Sequence, residues 1–363
     1  MPTLDPTDPV SQVFRHAVGA AISEFLDQRA ASLADLGADL DPVIELARAF
    51  TTGGKRLRPA FCCWGYVAAT GSTEIPESVI AAAASLDLLH VGVLMHDDVM
   101  DGSNTRRGIP SAHVQFAQRH AAGHRQGNPE DYGRAEAILL GDLLVVWSAQ
   151  LLAESGAPQL EAAAPLAAAV REEVNAGQVL DTTAQTRSPL DARTDLASVL
   201  AQIERVVEYK TARYTVIRPL QIGAALGRGS AELLDALARF GSPLGRAFQF
   251  RDDVLGVFGD EAVTGKPAGD DLREGKLTVL IAQAMARADQ ASADQLNAFL
   301  GTPLSPRQVE VARGVIVDSG ALAATEEAIT AATNSAAACL PALPGPAQPA
   351  LAELLRLATE RTF

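Results

Sequence analysis

Two short runs of aspartate carry the strongest chemical signal in the chain. His96-Asp97-Asp98-Val99-Met100-Asp101 closes a long apolar stretch, and Phe248-Gln249-Phe250-Arg251-Asp252-Asp253 repeats paired aspartates on a second apolar run. Asp97 and Asp101 are four residues apart and Asp98 and Asp101 three apart, so on a helix they share a face. Carboxylates so crowded repel one another unless a cation lies between them. Hard oxygen donors of this kind suit Mg²⁺, which takes a few carboxylates and completes its shell with water and phosphate oxygens. A merely solvated acidic helix end fits poorly, because Val91, Val93, Leu94 and Met95 precede the first run. Asp97 and Asp252 lie 155 residues apart. Two such pairs are expected to be two halves of one metal site facing across a cavity.

The basic residues complement this. Of 30 cationic side chains, 26 are arginine and four are lysine, Lys55, Lys210, Lys266 and Lys276. A lysine kept against that bias marks a place that needs a compact ammonium. Gly53-Gly54-Lys55-Arg56-Leu57-Arg58-Pro59 is a glycine turn running into a helix, suited to hold a diphosphate through side chains and exposed N–H groups. It lacks Walker spacing, so no nucleotide is implied. Arg106-Arg107-Gly108 follows the first aspartate run, and Lys210-Thr211 lies in an otherwise apolar helical segment. His90, seven residues before Asp97, reads alone as a satisfied core histidine. Among these cations it becomes a candidate phosphate donor.

The elements that must position these groups read as helices. Alanine and leucine dominate the apolar half of the 363 residues, and both are strong helix formers. A helix is expected over 10–33, with apolar stretches at 60–70, 78–101, 135–154, 160–180, 196–226, 231–258 and 276–298. Loops are expected at 71–76, 102–112, 123–134, 186–194, 259–275 and 301–306. The proline-rich segment 341–349 reads as non-helical, leading to a short helix at 350–361. No repeat or charge run divides the chain. The expectation is an all-α fold: a single large domain, 1–363, of many packed, mostly antiparallel helices around a deep central cavity.

Net charge is −14, which argues against a general nucleic-acid surface. No apolar run is read as long enough to insert into a membrane, and the N-terminus carries Asp5 and Asp8 rather than a secretion signal. Cys62, Cys63 and Cys339 form no disulfide framework, consistent with a reducing, cytoplasmic setting.

Taken together, the motifs between Gly53 and Lys276 resemble the trans-isoprenyl diphosphate synthases, or polyprenyl synthetases. Asp97-Asp98-Val99-Met100-Asp101 is similar to that family's first aspartate-rich motif and Asp252-Asp253 to its second. Gly53 to Pro59, Arg106-Arg107-Gly108, Lys210-Thr211, Phe248-Gln249 and Gly265-Lys266 occupy the remaining signature positions, and all four lysines are thereby placed.

The resemblance implies ionisation, condensation and elimination, with isopentenyl diphosphate added to an allylic diphosphate. Asp97, Asp101 and Asp252 would hold Mg²⁺, three ions in all, with Asp98 and Asp253 beside them. Arg106, Lys210, Lys266 and Lys276 would help bind the allylic diphosphate. Lys55, Arg58, His90 and Arg107 would hold isopentenyl diphosphate. Thr211 and Gln249 would flank the carbocation as oxygen dipoles. A homodimer is a further expectation from the family.

One departure is Gly256, where the family's second motif usually has a third aspartate; Asp260 is a candidate substitute. The product tail is expected to grow along the Asp97 helix towards its N-terminus. Short-product members have a bulky aromatic four or five residues before the first aspartate, whereas Gly92 and Val93 stand here. Leu88 and Leu89, one turn of about 5.4 Å further back, would set the floor. That favours a C20 product, geranylgeranyl diphosphate, over farnesyl or longer chains. Three rivals are less well supported. A terpene cyclase would not need Lys55, Arg58 and Arg107, a silent subunit would have lost an aspartate motif, and a plain scaffold leaves the lysines unexplained.

Overall fold

A computed structural model describes residues 3–186, 195–259 and 269–360. Helices account for nearly all the regular structure: α1 Gln12–Leu33, α2 Asp41–Thr51, α3 Leu57–Thr70, α4 Glu77–Met100, α5 Ala112–Ala122, α6 Pro129–Glu154 and α7 Leu160–Gln185. After these come α8 Leu196–Val207, a π-helical segment Glu208–Ile217, α9 Arg218–Leu226 and α10 Ala231–Phe258. The chain continues with α11 Asp270–Glu274, α12 Val279–Arg287, α13 Gln290–Phe299, α14 Pro306–Asp318, α15 Ala321–Cys339 and α16 Gln348–Thr359. The strands among the described residues are the two of a small hairpin, β1 Thr105–Arg106 and β2 Ile109–Pro110.

Several boundaries differ from expectation, and local chemistry explains them. Residues 129–134 are helical, not loop. Pro129 sits in the first turn of α6, and the Asn128 side chain accepts from the Glu130 and Asp131 N–H groups, a strong N-terminal cap. α14 begins with a full capping box between Ser305 and Gln308. The expected 276–298 run is two helices, because Asp289 caps a new start at Gln290. Part of the expected 259–275 loop is helix α11, and the proline-rich 341–349 segment contains two short 3₁₀ turns.

The described residues group into two compact units. The first comprises residues up to Arg171, Arg218–Asp235 and Leu343–Glu353. In it α4 packs on α6, α3 and α1, α5 packs on α6, and α3 packs on α9. The α3–α9 contact is backbone-close. A side chain at Gly65 would strike the Leu220 carbonyl, and one at Gly223 would strike that of Cys62. Cys62 and Cys63 are free and fully buried in this contact. Burial alone pushes the Cys62 thiol up to about 12, so these cysteines act as small apolar groups.

The second unit holds Glu172–Ile217, Ala236–Ala342 and the chain from Leu354. One of its cores gathers Val257, Leu272, Leu280, Leu296, Val309 and Ile316. Another gathers Val199, Ile203, Val207, Phe250, Val254 and Ile329. Phe250, Val254 and Val257 recur at i, i+4 and i+7, the helical spacing of a buried face.

Two helices, α4 and α6, are by length and composition long and apolar enough to cross a membrane, which corrects the reading of the sequence on this point. In α4 the apolar character is spent inside the protein: 72% of its most apolar window is buried. It also carries Asp87 in its middle, bound to Arg56. α6 is less covered, with 44% of its window buried.

Candidate active site

The acidic motif of the first unit occupies the last turn of α4, with Asp101 as its C-cap. Carboxylates at a helix C-terminus meet the negative end of the helix dipole, so this cluster is held at an electrostatic cost that a cation would offset. The three aspartates are not equivalent. Asp98 is fully buried, and Arg106 of the β1 strand engages it, with Nε donating to Oδ1 at 2.9 Å and Nη2 reaching the same oxygen. Asp97 and Asp101 are partly exposed. The hairpin thus binds Asp98 inwards, while Asp97 and Asp101 keep the i, i+4 spacing of a helical face.

Beside this lies a cationic group. Gly53 and Gly54 adopt φ of 78° and 86°, a left-handed turn that glycine enters without steric cost. The turn brings the backbone beside Arg107, whose guanidinium would lie 3.4 Å from a side chain placed on Gly54. Arg107 Nη1 donates to the Phe50 carbonyl at 3.3 Å. Lys55 is exposed and Arg58, in the first turn of α3, is half-buried. Arg56 is different. It is 5% exposed, pairs with the buried Asp87 of α4 and donates to the Thr51 carbonyl at 2.6 Å. It is a bolt between the glycine turn and α4.

His90 stands among these cations. Burial, and then Arg58, Arg107, Arg106 and Arg56, drive its pKa well below the ordinary imidazole value. The ring is therefore neutral near pH 7, a hydrogen-bonding group and not a further cation.

The second unit carries the other half of the predicted residues. The π-helical segment, much longer than the single turns in which π geometry is common, presents Lys210 and Thr211. Its approach depends on two glycines. A side chain on Gly177 would come within 2.5 Å of the Lys210 N–H nitrogen, and one on Gly245 would collide with Ala212. Lys210 Nζ is ion-paired with Asp181 of α7. Arg213 pairs with Glu173 at 2.7 Å and lies over the Tyr209 ring.

Thr211 donates to Gln249 Oε1 at 2.5 Å, and Gln249 Nε2 donates to Asp253 Oδ1 at 2.8 Å. This chain fixes the Gln249 amide. It also leaves the lone pairs of the Thr211 oxygen as that hydroxyl's remaining hydrogen-bonding capacity. Asp253 is buried, and its carboxyl is raised well above the usual range by burial first, with Asp271, Asp252 and Asp181 adding to it against the bond from Gln249. Lys276 pairs with Glu274 and lies 3.8 Å from Asp271 Oδ1. Lys266, and with it Asp260, falls outside the described residues.

Of the proposed chain-length residues, Leu88 and Leu89 are fully buried and Val93 is half-buried. Gly92 is a helix contact: a side chain there would lie 2.9 Å from the Gly141 carbonyl and 3.1 Å from Leu144 Cβ. His96, one turn on, lies over Gly141 and within 3.2 Å of Asp142.

Asp87 and Asp181 are not among the residues that the sequence singles out. Asp87 had one usable signal, as the lone charge in the middle of an apolar helix. Asp181 had another: Gly177, four residues earlier, is an unexplained glycine inside a 26-residue helix, which signals close approach of another backbone.

No cluster of three or more metal-binding side chains converges among the described residues. Mg²⁺ is commonly held by one or two carboxylates plus substrate phosphate rather than by an all-protein cage. Asp97 and Asp101, and separately Asp252, offer the hard oxygen donors such an ion takes.

The fold is all-helical, and in its first unit an acidic helix end stands beside a group of arginines. The polyprenyl synthetase family model matches residues 43–315. A geranylfarnesyl diphosphate synthase of Aeropyrum pernix is 31% identical over 74% of this chain and 77% of its own length. A geranylgeranyl diphosphate synthase of Saccharolobus solfataricus is 30% identical over 69% of each chain. Among solved structures, a geranylgeranyl pyrophosphate synthase of Corynebacterium glutamicum, complexed with isoprenyl diphosphate and magnesium, is 38% identical. Its TM-score is 0.91, over 99% of this chain and 100% of that one. The chain belongs to the polyprenyl synthetase family, magnesium-dependent enzymes that join isopentenyl diphosphate to allylic diphosphates.

Proposed function

We propose that this chain elongates allylic diphosphates head to tail with isopentenyl diphosphate and releases mainly the C20 product, geranylgeranyl diphosphate. The observation that supports this best is the pairing within the first unit: an acidic helix end, Asp97 and Asp101, beside the Arg58, Arg106 and Arg107 group around neutral His90. Two diphosphates that must not be confused call for two kinds of counter-charge, one metal-mediated and one purely cationic.

Asp97, Asp101 and Asp252 would hold three Mg²⁺ ions, which would supply the positive charge that makes the allylic diphosphate a leaving group. Lys210, Lys266 and Lys276 contribute fixed positive charge to the same diphosphate. Arg106 contributes there and keeps Asp98 in place. Lys55, Arg58 and Arg107 hold isopentenyl diphosphate, and His90 adds a neutral N–H donor. The Thr211 oxygen, its proton committed to Gln249, turns lone-pair density on the allylic cation.

The tail ends against Leu88 and Leu89, since neither residue 92 nor 93 is bulky. Residues 1–363 act as one catalytic domain in the cytoplasm, and the chain works as a homodimer. Apolar side chains that α6 leaves exposed, Ile138 at 42%, Leu139 at 55% and Val146 at 61%, support the dimer.

The test is elongation of C5, C10 and C15 primers with labelled isopentenyl diphosphate and Mg²⁺, sizing the dephosphorylated alcohols. A C20 alcohol, abolished by EDTA and lowered at least about 100-fold by Asp97→Ala, is the expected result. Elongation to C15 or far beyond C20 would discard the floor assignment, and no elongation from any primer would sink the function.

A further inference from the structure

We propose that Asp271 supplies the carboxylate that the second acidic motif lacks at Gly256, acting beside Asp252 as an oxygen donor to magnesium. This rests on the synthase reading above.

Gly256 lies four residues after Asp252, one turn along α10, so a side chain there would share the face of Asp252. That side-chain space is occupied. A Cβ built on Gly256 runs into the carboxylate of Asp271, with Oδ2 and Cγ nearest and Oδ1 at 2.9 Å. A carboxylate therefore does fill the place next to residue 256, but it arrives from α11, fifteen residues later in the chain.

The fold explains why it arrives there. Leu272, the next residue, is fully buried in the same core as Val257, the residue after Gly256. Gly269 and Gly275 bound α11 with φ of 76° and 70°. The Asp271 carbonyl accepts from the Lys276 N–H at 3.0 Å, and the Leu272 carbonyl accepts from that of Gly301 at 2.9 Å. The Asp271 side chain is 13% exposed, so its carboxylate is held in place.

Lys276, the cation 3.8 Å from it, is shared with Glu274. An aspartate at 256 and one at 271 would compete for one space, which gives the glycine a reason: it makes room for a donor delivered by another element.

The relation is reciprocal and so is its test. Mn²⁺ replaces Mg²⁺ as a paramagnetic probe, titrated by EPR into the full-length protein with inorganic pyrophosphate, a readout independent of turnover. Asp271→Ala is expected to weaken Mn²⁺ binding roughly tenfold. Gly256→Asp alone, colliding with Asp271, is expected to lower the melting temperature. Gly256→Asp combined with Asp271→Ala should recover Mn²⁺ affinity to within about threefold of wild type. Asp271→Asn, nearly isosteric, replaces Asp271→Ala if the latter does not fold.

Wild-type affinity in Asp271→Ala or Asp271→Asn, with primer elongation intact, overturns this assignment and leaves the synthase reading standing. A double variant no better than Asp271→Ala also overturns it, since Asp271 would then not be doing the missing residue's work. A wild-type protein that neither elongates primers nor binds Mn²⁺ with pyrophosphate sinks the synthase reading itself.

Discussion

Arg56 and Arg58 stand two residues apart, yet the structure separates their work. Arg56 is sealed against Asp87, both nearly inaccessible, so its contribution is to hold the glycine turn on α4. Removing one member of a buried ion pair strands the other, at about 3–5 kcal/mol. Arg56→Leu is thus expected to lower the urea midpoint sharply, and Arg56→Leu with Asp87→Leu to recover much of the loss. A double variant no more stable than the single would contradict this role. His90 gives a pH-dependent counterpart. Its folded pKa is depressed, so below the ordinary imidazole pKa of about 6.5 the unfolded chain binds a proton that the folded one refuses. Stability therefore falls with acidity there, by up to about 1.4 kcal/mol per pH unit from this residue. Stability measured from pH 7.5 down to 5.5 should fall more steeply in wild type than in His90→Gln. Parallel curves would show that His90 does not resist protonation.

At the scale of elements, the end of α4 tests which residue can act as a chain-length floor. Gly92 lies against the Gly141 backbone of α6, and a side chain there must push the helices apart, typically at 1–3 kcal/mol or more. Gly92→Phe is expected to lose stability or misfold, whereas Val93→Phe, at a half-buried position, is expected to stay folded and shorten the product towards C15. A folded Gly92→Phe with shortened product would reverse the two roles. This distinction was not legible in the sequence. Helical period puts residues 92 and 93 on neighbouring faces, but only the packing tells which face meets α6. The same limit explains the other omissions. The Asp97–Asp101 motif and the Asp252–Asp253 pair are local patterns, and local spacing reveals them. Asp87 meets Arg56 across 31 residues and Asp181 meets Lys210 across 29, contacts made by tertiary folding. Helix starts at Pro129 and Pro306 were written in their caps, yet the polar composition around them read as loop.

For the whole molecule, the all-helical class was legible because alanine, leucine and 3.6-residue periodicity pervade the chain. The surface was not, since exposure of an apolar residue depends on what packs over it. α6 shows this well. Its inner side meets α4 and α5, while Ala135, Leu139, Val146 and Ala149 remain exposed on a face that also carries the exposed Asp142. Apolar side chains left facing water forgo about 25 cal/mol for every Å² uncovered, and the second copy proposed above would cover these. Each chain carries a net charge of −14, so two copies repel, and salt should screen that repulsion while leaving an apolar seam intact. Light scattering coupled to size exclusion is therefore expected to give the mass of two chains, held more tightly as salt rises. Leu139→Glu with Val146→Glu, placing charges on this face without touching the α4 contact, should give the mass of one chain with unchanged helicity. A dimer that survives both substitutions would move the interface elsewhere, and dissociation on adding salt would make it an electrostatic one.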